Sequence, residues 1–591
     1  MNDNNEYYAK LCDEDKNIPV VQTSVNINDN IASKDILKNK ESSSPQIGKK
    51  TLRVKKNPQT KTEVYGMTEI YQADDDYAKL IDSFRNLDID SMIEYCGAEG
   101  KYQYMVLIQL SIMMFFISAT LYSTGFLLAD PAFKCQKGAT TITCTQIEFC
   151  RQYSSNPKNW PMDLINWKYN SWVKHFELIC DDRHTNTAWK QAIMFSSASF
   201  AIVSGIISDS YGRIFTMKLF SWSILLVSLI GYFFDDLIVK IVCYSISGGI
   251  QGIIAAQSTY VLNESCLSSS TFRSKAIAFF LACFAFGGMC MSLLTLLVDD
   301  ADTLYLIIIV TSILSVISLP FTCFEPIKQL YNRGKISEVF RNLKRISEIN
   351  GKKRSIEELQ KYAQIHSEYV DFGVGRYDII HKTTCKESLR IMFKNIRMLI
   401  FGGFIYRFFG FLLFAGAEYI GFNGVTYNSG DIGIDSVAIN TILLCLIEVF
   451  ANLLAMPLAK VLYRKTTGII CMILLSLSAV VLVVVRKMYG NEGAEKWFET
   501  LFVVVFLKGT LTLGFVIAYI YGGELFPSNL RGTATGLALN CGKFLSLTAP
   551  VIMEVCSDQL NVNPMAGCAA ASIVALPFFF WMPETFGMTL E

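Results

Sequence analysis

The stretches "YVLNESCLSSSTFR" (residues 260–273) and "YGGELFPSNLR" (residues 521–531) decide the architecture of this chain. Each ends a long apolar run, and each sets a glutamate (Glu264, Glu524) ahead of an arginine (Arg273, Arg531). Working outward, the apolar runs recur at lengths of about 20 residues, enough for a helix to cross the roughly 30 Å hydrocarbon core of a bilayer. Six lie near 104–128, 188–208, 215–234, 237–260, 275–298 and 303–324. A polar, basic stretch follows at 325–396, and six more runs lie near 398–420, 436–459, 467–485, 499–521, 532–554 and 563–582. The sixth run leads into "FEPIKQL" and the twelfth into "MPETFGM", so the second half of the chain repeats the first.

A parallel repeat of six spans is the signature of major facilitator transporters. The expected fold is an all-α membrane protein of twelve transmembrane helices in two six-helix bundles. Its expected domains are a disordered cytosolic tail (1–90), a first bundle (91–324) with an outer loop at 129–187, a cytosolic helical loop (325–396) and a second bundle (397–591). Of the 591 residues 51% are hydrophobic and the net charge is +1, which offers neither nucleic acid nor an acidic partner a surface to bind. The first 100 residues are polar and lack a signal-peptide core, so the first span is expected to serve as its own insertion signal.

Orientation follows from the Lys- and Arg-rich segments "RNLKR", "KKR" and "KNIRM", which belong on the cytosolic side. Both termini are then cytosolic and the loop 129–187 is extracellular. That loop carries Cys135, Cys144, Cys150 and Cys180, enough for two disulfides in any of three pairings. The other cysteines fall in spans or cytosolic segments and read as small buried apolar residues.

"GIISDSYGR" (205–213) joins the second and third spans through Gly205, Asp209, Gly212 and Arg213. Gly205 would let two helices approach, Asp209 would accept from a helix N-terminus, Gly212 would allow the turn, and Arg213 would bridge to a carboxylate such as Glu264. With Arg273, Glu524 and Arg531 these residues form a candidate latch on the cytosolic side.

More stretches narrow the family. "CGAEGKYQ" (96–103) precedes the first span, "DPAFKC" (130–135) follows it, and "WVKHFELICD" (172–181) ends the outer loop. "FEPIKQLYNRGKISEVFRNLKRISEINGKK" (324–353), "LKGTLTLGF", "GGELFPSNLRGTATG", "GKFLSLTAP" and the closing "PETFGMTLE" complete the set. Together, over roughly 88–591, they resemble the organic cation/anion/zwitterion transporters, solute carrier family 22. The resemblance implies an alternating-access carrier in the plasma membrane, with a cysteine-bridged outer loop and a central cavity for small organic ions. The chain departs from the family pattern in three places. The Glu264–Arg273 spacing is longer, "KVLYRKTTG" (460–468) has lost the second Gly-Arg turn, and "EVFAN" (448–452) lacks a proline.

Four ionisable residues lie deep in the expected spans, at about 1.5 Å of rise per residue. Lys543 is roughly 16 Å deep, Lys508 roughly 14–15 Å, Arg407 about 14 Å and Glu448 about 18 Å. A charge at that depth costs roughly 2.5–3.5 kcal/mol on insertion scales, so each needs a partner or a function. Glu448 can pair with Arg407 or Lys508, or take the charge of Lys543. By the resemblance, Lys543 stands where the family sorts substrates by charge, and Phe408 and Phe409 stand where it carries an aromatic pair. All six are candidate substrate-binding residues.

Organic-anion transport, by exchange or facilitated diffusion, is therefore the expected function, with a carnitine-like zwitterion as the nearest alternative and an organic cation behind it. Proton symport is disfavoured by the absence of a mid-depth carboxylate in the first half, although Glu448 leaves it open. A non-transporting receptor built on the same fold is the alternative of another class. An enzyme fits poorly: His366 and His381 lie in the cytosolic loop, and no nucleophile–base spacing or metal-ligand cluster is present. No cofactor is expected, and the partners are the substrate and the bilayer.

Overall fold

The structure, a computed structural model, describes residues between 89 and 585, with breaks of which the longest is 367–384. The described residues belong to the unit Asp74–Glu591. The expected tail therefore lies almost wholly outside the described residues.

Twelve helices follow the apolar runs. In the first half they are α1 (Lys101–Leu127), α2 (His184–Tyr211), α3 (Arg213–Phe233), α4 (Leu237–Ser265), α5 (Ser270–Leu294) and α6 (Ala301–Ile317). In the second half they begin with α7 (Ile405–Tyr427), α8 (Val437–Leu458) and α9 (Arg464–Tyr489). Next, α10 starts as a π-helical turn, Phe502–Leu507, and continues as Lys508–Leu525. After it, α11 runs from Ser528–Leu545 through a 3₁₀ turn, Ser546–Thr548, into Ala549–Asp558, and α12 is Pro564–Phe579. Nine of these are long and apolar enough to span a membrane among the described residues; α6 and α12 are shorter apolar helices. Serine and threonine inside them return their hydroxyls to the preceding turn, as Ser123 does to the Ala119 carbonyl (2.6 Å) and Thr441 to that of Val437 (2.9 Å). Such bonds satisfy a polar side chain within its own helix where no water is at hand.

The packing carries the repeat. Between the halves, α5 lies along α8 and α2 along α11, the same pair of positions exchanged. The outward faces stay apolar: Trp222, Leu226 and Phe233 on α3, and Leu477, Val480 and Val484 on α9, are exposed as lipid-facing residues are.

Two features lie outside the spans. Between α1 and α2, three antiparallel strands, β1 (Ala132–Lys137), β2 (Thr140–Cys144) and β3 (Ile165–Asn166), pair in the order β2-β1-β3. They and the helix Gln146–Tyr153 enclose Phe133, Cys135, Phe149 and Ile165. The all-α reading of the sequence missed this small sheet. Cys135 and Cys150 are disulfide-bonded; the Cys144 side chain and all of Cys180 lie outside the described residues. At the other end of the bundle, helices Ile89–Gly97, Ile336–Ile349 and Ile356–His366 share one apolar core with α1. Asn350 fastens it: its amide donates to the Cys96 and Gly97 carbonyls (3.1 Å each), and its oxygen accepts from the Tyr102 N–H (2.9 Å). So "CGAEGKYQ" and "EINGKK" form one clasp.

Candidate substrate cavity and latch

The candidate latch is built from helix ends. Gly212 takes φ +116°, in the left-handed region open to glycine, and turns the chain from α2 into α3. A Cβ there would collide with the Glu325 carboxylate. Glu325 accepts the first N–H groups of α3, from Arg213 (2.9 Å), Ile214 (3.1 Å) and Phe215 (3.3 Å). These groups carry the positive end of the helix dipole, so a carboxylate is the favoured acceptor. Burial nevertheless pushes the Glu325 carboxyl above the usual carboxylate range, while these N–H groups and Arg333 pull it back down. The sequence assigns that capping to Asp209, whose side chain lies outside the described residues. Arg213 pairs with Glu264 through Nε (3.1 Å) and a second nitrogen, and lies 4.8 Å from the centre of the Tyr260 ring.

The second half repeats this arrangement without the Gly-Arg pair. Glu584 caps α9 by accepting the N–H groups of Arg464 (2.7 Å) and Lys465 (3.1 Å), and Arg464 lies 3.5 Å from Glu524. "KVLYRKTTG" thus keeps the arginine contact through Arg464, although the sequence reading counts the turn as lost. Arg273 crosses to the other half, pairing with Glu524 at 3.1 Å with both side chains 8% exposed. Glu325, Arg464 and Glu584 are absent from the sequence-level site. Their signal was the repeated Glu-Pro and Pro-Glu after the sixth and twelfth spans. Gly205 meets no atom within 4 Å among the described residues, so it supports no close helix approach here. The Arg531 side chain lies outside the described residues.

Between the halves lies an open cavity, whose empty space together with the solvent at its mouth comes to about 930 Å³. The first half lines it with uncharged groups, among them Thr120, Thr124, Gln251 and Phe284. The second half supplies Tyr419, Phe422, Asn423, Glu448, Tyr519 and Lys543.

Its charges fall into two sets. Lys508 is fully buried behind the wall, 3.2 Å from Glu448, donating to the Thr426 hydroxyl (3.0 Å) and 3.5 Å from the centre of the Phe422 ring. Glu448 also accepts from the Tyr122 hydroxyl (2.8 Å), which ties α8 to α1 across the halves. A buried pair with this many hydrogen bonds offsets much of its desolvation cost. Lys543 stands apart. It lines the cavity, its nitrogen 5.9 Å from the centre of the Tyr419 ring, and among the described residues no carboxylate forms an ion pair with it. Pro550 explains the local shape: it removes the N–H that would bond to residue 546, and α11 tightens into its 3₁₀ turn there. Asn423 reaches that turn, donating to Ser546 at 3.1 Å.

Three expected binding residues stand elsewhere. The span expected at 398–420 is broken at Gly402–Gly403, where Gly403 takes φ +78°, so a helix Cys385–Phe401 ends and α7 begins only at Ile405. Arg407 is consequently in the first turn of α7, exposed and stacked 5.5 Å from the Phe404 ring centre, far from mid-depth. Phe408 is buried in the second-half core with Phe411 and Phe414, and Phe409 is 51% exposed; neither lines the cavity. The same shift of α7 brings in a residue the sequence reading passed over. Glu418 is 1% exposed, and among the described residues neither of its carboxyl oxygens has a hydrogen-bond partner.

The family described as "Sugar (and other) transporter" matches residues 138–591. The chain belongs to that family. Among curated relatives, the transporter is 25% identical over 414 residues to organic anion transporter 3 of Mus musculus, covering 66% of this chain and 68% of that protein. It is 21% identical over 549 residues to solute carrier family 22 member 6-B of Xenopus laevis, covering 84% and 92%. It is 23% identical to the steroid transmembrane transporter SLC22A24 of Homo sapiens, with 70% of each chain covered. These relatives agree with the solute carrier family 22 motifs read from the sequence. Among solved structures, the proton:xylose symporter XylE bound to 6-bromo-6-deoxy-D-glucose aligns with a TM-score of 0.57 at 15% identity, over 83% of this chain and 98% of that one. That likeness shows the transporter's fold.

Proposed function

We propose that this transporter carries small organic anions across the plasma membrane by alternating access, with both termini in the cytosol. The observation that carries the reading is the contrast between the two deep lysines. Lys508 is neutralised by Glu448, whereas Lys543 presents its ammonium to the cavity with no ion-pair partner among the described residues. A cation held in a low-dielectric wall attracts a carboxylate or sulfate and repels a second cation. Glu448, already held by Lys508 and Tyr122, is poorly placed to receive the ammonium of a zwitterion. The printed names of the relatives, organic anion transporters among them, point the same way. In this reading Arg273–Glu524 and the two capped turns form the cytosolic gate, and the basic segment 325–396 holds that side inward.

Oocytes expressing the protein should take up labelled organic anions in preference to carnitine and tetraethylammonium. Lys543→Ala should raise the anion KM about 10- to 100-fold, the worth of one charge-assisted hydrogen bond, and Lys543→Asp should abolish anion uptake. Strong tetraethylammonium uptake by the wild type, unchanged by Lys543→Asp, would refute the assignment. Normal surface expression without uptake of any of the three classes would favour a receptor.

A further inference from the structure

Glu418 has no place in the scheme above, yet it is the most anomalous side chain in the bundle. It lies near the middle of α7, 1% exposed, with both carboxyl oxygens lacking a hydrogen-bond partner among the described residues. An unpaired charge buried this way costs several kcal/mol, so the group holds its proton instead. A carboxyl kept neutral within a membrane helix is a functional feature by default, because glutamine or leucine would fill the same space at lower cost.

The surroundings show how the proton would be released. Glu418 packs against Gly514 of α10, where a Cβ would collide with the carboxyl. The next residue on each helix faces the cavity: Tyr419 and Phe515 both line it, with ring centres 4.9 Å apart. Tyr519 closes the row, its hydroxyl 3.3 Å from that of Tyr419. Glu418 therefore sits directly behind a partition made of aromatic rings from α7 and α10. Along the same interface Leu511 packs against Gly421 and Phe411 against Gly522, so the two helices approach closely there. Beyond Lys508, α10 becomes π-helical, an irregularity that commonly marks a moving or functional segment.

The other titratable groups on the packed helices are engaged, uncharged, at helix ends or on the cavity side of the partition. On α10, Lys508 is held by Glu448 and Thr426, Tyr519 faces Tyr419, Tyr521 donates to the Pro583 carbonyl, and Glu524 belongs to the latch. On α9, Cys471 is buried, while Arg464 and Lys465 sit at one helix end and Arg486 and Lys487 at the other. On α12 there is Cys568, and on α11 Lys543 lies on the cavity side of the partition.

We propose that Glu418 is a proton-carrying site: its O–H is kept intact between α7 and α10 in this conformation, and the proton passes to cavity water when those helices part, so that an organic anion and a proton complete the cycle together. The proton leaves as hydronium, the carboxylate remains on Glu418, and reprotonation from water on the opposite side restores the starting state. The coupling rests on the anion reading; the protonated site does not. It replaces the expectation of simple exchange or facilitated diffusion, which was formed without this residue.

The test uses the full-length protein in proteoliposomes, with radiolabelled estrone sulfate as the probe and a trapped pH indicator. The sulfate is permanently charged, so it cannot carry a proton through lipid, and any proton that moves belongs to the protein. With the wild type, an acidic exterior should raise accumulation several-fold, and estrone sulfate entry should acidify the lumen. Glu418→Gln, which mimics the protonated acid, should retain counterflow of labelled against unlabelled estrone sulfate while losing both effects. Wild-type entry without lumenal acidification, or acidification undiminished in Glu418→Gln, would overturn the proposal. Absence of counterflow in the wild type would refute the cargo instead. The site is then decided on the wild type without substrate by dicyclohexylcarbodiimide, a membrane-soluble reagent for protonated carboxyls, read by peptide mass spectrometry. Modification of Glu418 at neutral pH is expected, and its absence would overturn the site.

Discussion

The Glu448–Lys508 pair permits a quantitative test of the cavity wall. The two groups lie 3.2 Å apart, with side chains 4% and 0% exposed. Lys508→Met would leave a buried carboxylate with only Tyr122 as a described donor, and Glu448→Gln would leave a buried ammonium facing Thr426 and Phe422. Breaking such a pair by removing one partner costs about 3–5 kcal/mol, whereas removing both charges together is often close to neutral. The second bundle falls in a size class where 1 kcal/mol moves Tm by about 2–4 °C, so each single substitution should lower Tm by about 6–20 °C. The double variant should recover most of that loss, giving a coupling energy well above the 0.5 kcal/mol expected of independent sites. Unfolding of detergent-purified protein can be followed with a thiol-reactive dye, since Cys445, Cys471 and Cys568 are buried in the same half and become reactive as it opens. Single losses that simply add in the double variant would show that the two residues do not interact, and the contrast with Lys543 on which the anion reading depends would fall with them.

Two further predictions concern the latch. Burial raises the Glu325 carboxyl, so the folded state binds this proton more tightly than the unfolded chain does. Its contribution to stability is therefore full below the ordinary carboxylate range and is lost as pH rises through the raised value. Glu325→Gln should flatten the dependence of Tm on pH from the ordinary carboxylate range upward, and a variant whose curve parallels the wild type would contradict this. Arg273→Ala removes the pair joining the halves at Glu524, while Arg464 and Thr585 still hold that glutamate. Maleimide labelling of a cysteine placed at Gly536, which faces Tyr260 of the other half, should then accelerate several-fold; an unchanged rate would mean that the pair does not hold the gate.

The twelve spans were legible because a bilayer imposes a length and a polarity that apolar runs display without tertiary context. The latch was legible only in part. Arg213 and Glu264 stood out as motif residues, but Glu325 and Glu584 cap helices that begin more than a hundred residues earlier in the chain, and such partners become visible only in three dimensions. The error at span seven had a local cause with a long reach. Reading 398–420 as one helix overlooked the break at Gly402–Gly403. That placed Arg407 near mid-depth and pushed Glu418 to the far end, about 30 Å along, where a carboxylate attracts no notice. Starting the helix at Ile405 reverses both: Arg407 falls to the rim, and Glu418 lies about 20 Å in. The small sheet of the outer loop was missed because strands of two to six residues give too short an alternation to stand out.

The charges are distributed unequally over a fold whose halves are otherwise alike. Both halves cap an outer helix with a glutamate that follows their last span and pair an arginine with a glutamate beside it. The candidate latch is thus duplicated. The deep ionisable residues Glu418, Glu448, Lys508 and Lys543 all lie on α7, α8, α10 and α11, while the first half offers the cavity hydroxyls and an amide. In the proposed cycle, a cargo whose charge is held by the second half keeps its ionic environment while the first half moves past it, so the contact with the cargo need not be broken to change the side of access. At that depth the contact that must break is the hydrogen bond from Tyr122 to the Glu448 carboxylate, worth less than an ion pair there, and at the latch it is the Arg273–Glu524 pair. On this reading, concentrating charge on one half lowers the barrier to exchanging sides, and the proposal for Glu418 makes the partition between α7 and α10, within that half, the place where protonation follows the motion.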